Sequence, residues 1–154
     1  MNAEDVIRTE QIFLNVPLAT KDDVLTFVAE KAKELGITDD ASGLRVDLVK
    51  REGEMATGLE GGYAIPHAKS DHVRRTAILY ISVPEDLAWG SFEGSVMVRR
   101  MFALLVPKEG GANVHLELLS QLAVGLIEES FRAQVEAAQD AESLCAVLRA
   151  QMSL

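Results

Sequence analysis

A chain of 154 residues is long enough to bury one apolar core and too short for two, so one domain over residues 1–154 is expected. Its formal net charge of −9, from 24 acidic against 15 basic side chains, repels a polyphosphate backbone and removes the counterion release that drives nucleic-acid binding. The same acidity disfavours anionic membranes while steering small basic proteins toward the surface.

No apolar run approaches the roughly 20 residues a spanning helix needs, so no membrane insertion is expected. The start, Met1-Asn-Ala-Glu-Asp5, is acidic and lacks the basic and apolar regions of a signal peptide. The one cysteine, Cys145, cannot form an internal disulfide and fits a reducing compartment, which together predict a cytoplasmic location. Nothing in the pattern fixes an oligomeric state.

In chain order, Ile12-Phe-Leu14 reads as a short strand. Thr20-Lys-Asp-Asp23 resembles a capping box, and Val24, Leu25, Val28, Ala29, Ala32 and Leu35 recur at helical spacing until Gly36 ends the run. A second helix is expected from about Ala41 to Glu52, ended by Gly53. Thr57 to Gly62 is a glycine-rich turn, and Ile65 before Pro66 is biased to extended backbone, which places His67 on a strand end or loop. Thr76–Val83 and Val96–Val106 read as strands, each stopped by a proline, with a polar turn region between them. From Asn113 the pattern is helical, with Leu116, Leu119, Leu122, Ala123 and Leu126 as its core stripe and His115 in its first turn. Ser130–Ala138 and Asp140–Met152 complete the helices, Asp140 serving as an N-cap. Interleaved strands and helices predict an α/β fold in which a mixed sheet is covered by helices on both faces, a three-layer sandwich.

The segment from Arg51 to Ala68, REGEMATGLEGGYAIPHA, holds the ingredients of a phosphoryl-accepting site. Glycines such as Gly58 let backbone N–H groups crowd an anion, Thr57 supplies a hydroxyl, and the fork of Arg51 matches phosphate oxygens. His67 is a nucleophile whose neutral form is well populated at physiological pH, and Pro66 stiffens the chain before it. Spacing by itself leaves His67 open between an acceptor and an ordinary loop histidine.

The order Arg-Glu, Thr-Gly, glycine turn and Ala-Ile-Pro-His-Ala, followed by Val106-Pro107 and His115-Leu-Glu-Leu-Leu-Ser-Gln-Leu-Ala123, resembles the fructose/mannitol type (type 2) of phosphotransferase-system enzyme IIA domains. The resemblance extends over nearly the whole chain and implies the α/β sandwich more firmly than periodicity does. It implies that His67 is phosphorylated, that His115 donates a hydrogen bond to the phosphoryl group, and that Arg51 steadies it, with Thr57 and Gly58 as further phosphate contacts. The implied activity is that of a phosphotransferase. A phosphoryl group from the histidine-containing phosphocarrier protein would be received on His67 and passed to a cysteine of enzyme IIB in sugar uptake, with no cofactor or metal. Glu60 and Tyr63 depart from the small or aliphatic residues usual at their positions. Fructose-, mannitol- and galactitol-like sugars are equally compatible.

Other readings of the same residues differ in class. A nitrogen-regulatory IIA-like protein, whose phosphorylation state controls binding to other proteins, would carry the same site, and a degenerate interaction protein would keep the fold without transfer. A metal site built on His72 lacks the His-Glu-x-x-His pattern, leaving His72 as a solvated residue. A hydrolase built on Ser70 or Ser91 lacks the Gly-x-Ser-x-Gly elbow. Cys145, inside an amphipathic helical pattern, reads as a buried inert thiol, and Trp89 and Phe92 as core or turn-packing aromatics.

Overall fold

Ile78 and Tyr80 point to one side of the central sheet and Leu79, Ile81 and Val83 to the other, and all five are buried. A strand that is apolar on both sides needs a layer on each face. The computed structural model, which describes residues 2–110 and 112–152, supplies them. On one face lie α2 (Lys21–Glu34) and α3 (Ala41–Glu54); on the other lie α1 (Ala3–Val6), α4 (Ala112–Ile127), α5 (Glu129–Ala137) and α6 (Ala141–Gln151). The α/β sandwich is therefore the observed architecture.

The sheet is built on a long antiparallel pair, β5 (Ala77–Ser91) and β6 (Gly94–Pro107). β1 (Ile12–Phe13) joins β5 in parallel, and β4 (His67–Ser70) joins β6 in parallel with His67 opposite Leu104. The small hairpin of β2 (Gly58–Leu59) and β3 (Tyr63–Ala64) bridges the two long strands, Gly58 pairing with Ser91 and Tyr63 with Arg100.

Several expectations are met by local chemistry. The Thr20 hydroxyl accepts from the Asp23 amide at 3.0 Å and opens α2, Gly36 closes it at φ 74°, and Asp140 accepts from the Ser143 amide at 2.7 Å at the head of α6. Others are corrected. Gly53 does not end α3, which runs on to Glu54, because a helical glycine costs only about 1 kcal/mol and burial of Leu44, Leu48 and Glu52 outweighs it. Pro84 does not end β5 either. The pairing register shifts between Ser82 and Leu87, and such a bulge frees the ladder from the N–H that proline lacks. Beyond it Leu87 and Trp89 are buried again, so most of the expected turn region is strand. Phe92, at the tip of that hairpin, is 84% exposed and packs into no core. In α4 the core stripe is Leu118, Leu122 and Leu126, four residues apart, whereas Leu116 is 65% exposed. Met1, Gly111, Ser153 and Leu154 lie outside the described residues.

Candidate functional site

The register of β4 on β6 places His67. The Leu104 amide donates to the Pro66 carbonyl at 3.0 Å, and the histidine that follows is the first residue of the strand, 5% exposed. Its Nδ1 lies 2.7 Å from the Ile65 carbonyl. A carbonyl oxygen can only accept, so in the neutral ring Nδ1 carries the proton and Nε2 keeps the lone pair. Burial lowers the pKa of His67 below the ordinary histidine value. The Ile65 hydrogen bond opposes that shift and the nearby Arg51 guanidinium reinforces it. A neutral, singly protonated imidazole with a fixed tautomer is a competent nucleophile at neutral pH.

His115, in the first turn of α4, faces it with the two ring centroids 5.2 Å apart and the planes at 52°. Burial lowers its pKa too, and His67, Lys69 and Arg51 add to the shift because each disfavours a second positive charge. Its Nδ1 is buried and has no hydrogen-bond partner among the described residues. Such an atom ordinarily costs about 1–3 kcal/mol.

Both rings open into a cleft of about 440 Å³ whose wall includes Asp47, Lys50, Arg51 and Glu54 of α3. Their spacing of three and four residues aligns them on one helical face. Lys69, Asp71, His72 and Lys108 add to the rim, so the four cations Lys50, Arg51, Lys69 and Lys108 face the three carboxylates Asp47, Glu54 and Asp71 in a chain of net charge −9. The cleft is locally favourable to an anion. The Arg51 Nη1 donates to the Met55 carbonyl at 2.8 Å, which caps the end of α3 and holds the guanidinium at the cleft edge.

His67, His115 and Arg51 are thus brought together at one cleft. Thr57 and Gly58 are elsewhere. The Thr57 hydroxyl donates to Glu52 Oε1 at 2.6 Å and its amide to Oε2 at 2.7 Å, and neither residue lines the cleft. Gly58 is required by packing, since a Cβ there would stand 2.4 Å from the Gly90 carbonyl oxygen and 2.7 Å from Val96 Cγ2. His72, expected to be solvated, is half-buried at the rim with its Nδ1 3.6 Å from an Asp40 carboxylate oxygen. Cys145 is buried beside the Ile7 carbonyl, in keeping with an inert thiol. Tyr63 is wholly buried and donates its hydroxyl to Glu136 at 2.8 Å. Its departure from the usual small residue is therefore absorbed by a new partner in α5.

Sequence reasoning missed Asp47, Lys50, Lys69 and Lys108, and also Glu52. The polar stripe 47, 50, 51, 54 beside the motif was the available signal. No described helix is long and apolar enough to cross a membrane, and the described residues contain no group of three or more His, Cys, Asp or Glu suited to a metal ion.

Comparison with known proteins places the chain in a family context. Residues 5–151 match the family described as phosphoenolpyruvate-dependent sugar phosphotransferase system, EIIA 2. A PTS system fructose-specific EIIA component of Haloferax volcanii is 32% identical over 139 residues, spanning 90% of this chain and 89% of that protein. The crystal structure of nitrogen regulatory protein IIA-Ntr from Neisseria meningitidis superposes with a TM-score of 0.84 at 27% identity, covering 94% of this chain and 97% of the other. The complex of enzyme IIA mannitol and phosphorylated enzyme IIB from Escherichia coli matches with a TM-score of 0.76 over 94% and 97% of the two chains. At 20% identity that last likeness bears on the fold alone.

Proposed function

The chain belongs to the EIIA type 2 family of the sugar phosphotransferase system, a family of phosphotransfer proteins, and from that premise we propose that it is a cytoplasmic phosphocarrier domain with His67 as its acceptor. The observation that carries the reading is the 2.7 Å contact between His67 Nδ1 and the Ile65 carbonyl. With Nδ1 donating to the Ile65 carbonyl, Nε2 is the nitrogen left to attack. The donor is the histidine-containing phosphocarrier protein and the acceptor a cysteine of enzyme IIB.

In the first step the Nε2 lone pair attacks phosphorus in line. The new N–P bond forms as the donor's N–P bond breaks, and the donor imidazole departs with its electron pair and takes up a proton. The Nδ1 proton of His67 stays on the ring, hydrogen-bonded to the Ile65 carbonyl, throughout. In the second step a thiolate attacks phosphorus and the Nε2 lone pair is restored. Little covalent work falls to the protein, so positioning and charge stabilisation dominate. Arg51 and the N–H of His115 meet the equatorial oxygens, and Lys50, Lys69 and Lys108 favour the incoming anion.

Incubation with phosphoenolpyruvate, enzyme I and the phosphocarrier protein, followed by intact-mass measurement, tests this. One acid-labile phosphoryl group on the wild type and none on His67→Ala is expected. Stoichiometric uptake by His67→Ala excludes the assignment. The likeness to a nitrogen regulatory IIA-Ntr favours a second reading, in which the phosphorylated and unphosphorylated forms bind other proteins. Failure of the phosphorylated chain to charge any IIB cysteine would select it.

A further inference from the structure

Glu52 sits next to Arg51 in the last turn of α3 yet points inward and is 5% exposed. Its two oxygens take three donors. Oε1 accepts the Thr57 hydroxyl at 2.6 Å, while Oε2 accepts the Thr57 amide at 2.7 Å and the Trp89 indole N–H at 3.1 Å. The chain of bonds continues from Thr57. Its carbonyl accepts from the Ile65 amide at 3.2 Å, and the Ile65 carbonyl accepts from His67 Nδ1 at 2.7 Å.

Ile65 and Pro66 lie in the gap between β3 and β4 and belong to neither strand. Pro66 has no N–H to anchor. Among the described residues, the backbone hydrogen bonds of this two-residue step are the Ile65 amide to the Thr57 carbonyl upstream and the Leu104 amide to the Pro66 carbonyl downstream, and these help set the aim of the Ile65 carbonyl. Downstream, the anchor belongs to the ladder. Upstream, it is only as fixed as Thr57, and the Thr57 amide and hydroxyl are both held by Glu52.

We propose that Glu52 is a positioning residue for phosphoryl transfer, fixing the tautomer and aim of the His67 ring through Thr57 and the Ile65 carbonyl. This rests on His67 being the acceptor. It also gives the Thr57 hydroxyl a task other than contact with phosphate. A merely structural Glu52 would affect stability; this one sets which imidazole nitrogen bears the proton.

The test is nitrogen NMR of histidine-labelled protein above the histidine titration range, paired with single-turnover phosphoryl acceptance. Wild type is expected to show the proton on Nδ1 of His67. Thr57→Val and Glu52→Ala are expected to move it toward an Nδ1–H/Nε2–H mixture and to slow acceptance on the order of tenfold at unchanged KM for the donor. Glu52→Gln is expected to keep both within about threefold of wild type. Its amide oxygen can replace Oε2 while its NH₂ donates to a Thr57 hydroxyl that has rotated to accept. An unchanged tautomer in Thr57→Val overturns the proposal, even where Glu52→Ala fails to fold, and so does a Glu52→Gln as impaired as Glu52→Ala. The tautomer is read without any phosphoryl donor. A wild type that never accepts phosphate would therefore overturn the carrier reading while leaving this result standing.

Discussion

The two histidines that face each other across the cleft are held by different means. His67 begins a strand whose register is set by four ladder pairs on β6, and its ring is tied to a backbone carbonyl. His115 stands in the first turn of a helix, and its Nδ1 bonds to nothing among the described residues. The His67 ring is fixed by its own chain, whereas His115 keeps a buried nitrogen with no partner among the described residues. On the proposed reading, the site spends its rigidity on the nucleophile and keeps its unsatisfied polarity for the anion.

The largest break of that contrast is expected on the rigid side. Gly58→Ala drives a Cβ to 2.4 Å from the Gly90 carbonyl oxygen, a backbone atom that has little room to give, and should destabilise by about 3 kcal/mol, as overpacking does. Chemical denaturation measures it, and loss of phosphoryl acceptance should follow the loss of fold. On the other side, His115→Ala removes a ring that carries a buried unsatisfied nitrogen, so its melting temperature should stay within a few degrees of wild type. Its transfer rate should nevertheless fall on the order of 100-fold, the scale for one missing oxyanion donor. A rate unchanged by His115→Ala would mean that the ring only fills space.

A smaller effect concerns protonation. Burial lowers both imidazole pKa values, so between those values and the unfolded value of about 6.5 the unfolded chain binds more protons than the folded one. Stability from these groups is therefore complete above about pH 6.5 and falls as the pH drops through the window toward the folded values. Denaturant midpoints for wild type should decline below about pH 6.5 more steeply than those of His115→Ala. The acid limb of the acceptance rate should also lie below the ordinary histidine range, because a neutral nucleophile persists there. Smallest, and opposite in sign, is Gly53→Ala. That Cβ meets nothing within 4 Å inside α3, so the protein should gain about 0.5–1 kcal/mol from reduced backbone entropy.

Local signals in the chain were read where the chemistry is itself local. Thr20 and Asp140 cap the helices they precede, Gly36 closes α2, and the Pro66-His67 step puts the histidine at a strand start. Where a neighbour distant in sequence decides, the same reading slipped. Pro84 is tolerated because a bulge opposite β6 removes the need for its N–H, and Phe92 is exposed because the hairpin carries its tip beyond the core. Thr57 has the right chemistry for a phosphate contact, yet the carboxylate of Glu52 and the indole of Trp89, far along β5, already hold it.

By itself the sequence determined the caps of α2 and α6, the close of α2 at Gly36, the order of the motif and the residue types of an anion site, since each depends on neighbours a few positions away. Tertiary structure alone decided that His67 and His115, 48 positions apart, meet at 5.2 Å, and that α3 turns Arg51 to the cleft while Glu52 faces the core. It also decided that His67 protonates on Nδ1. Those outcomes depend on strand register and on which donors a folded interior leaves for each acceptor, and no local pattern of side chains encodes either.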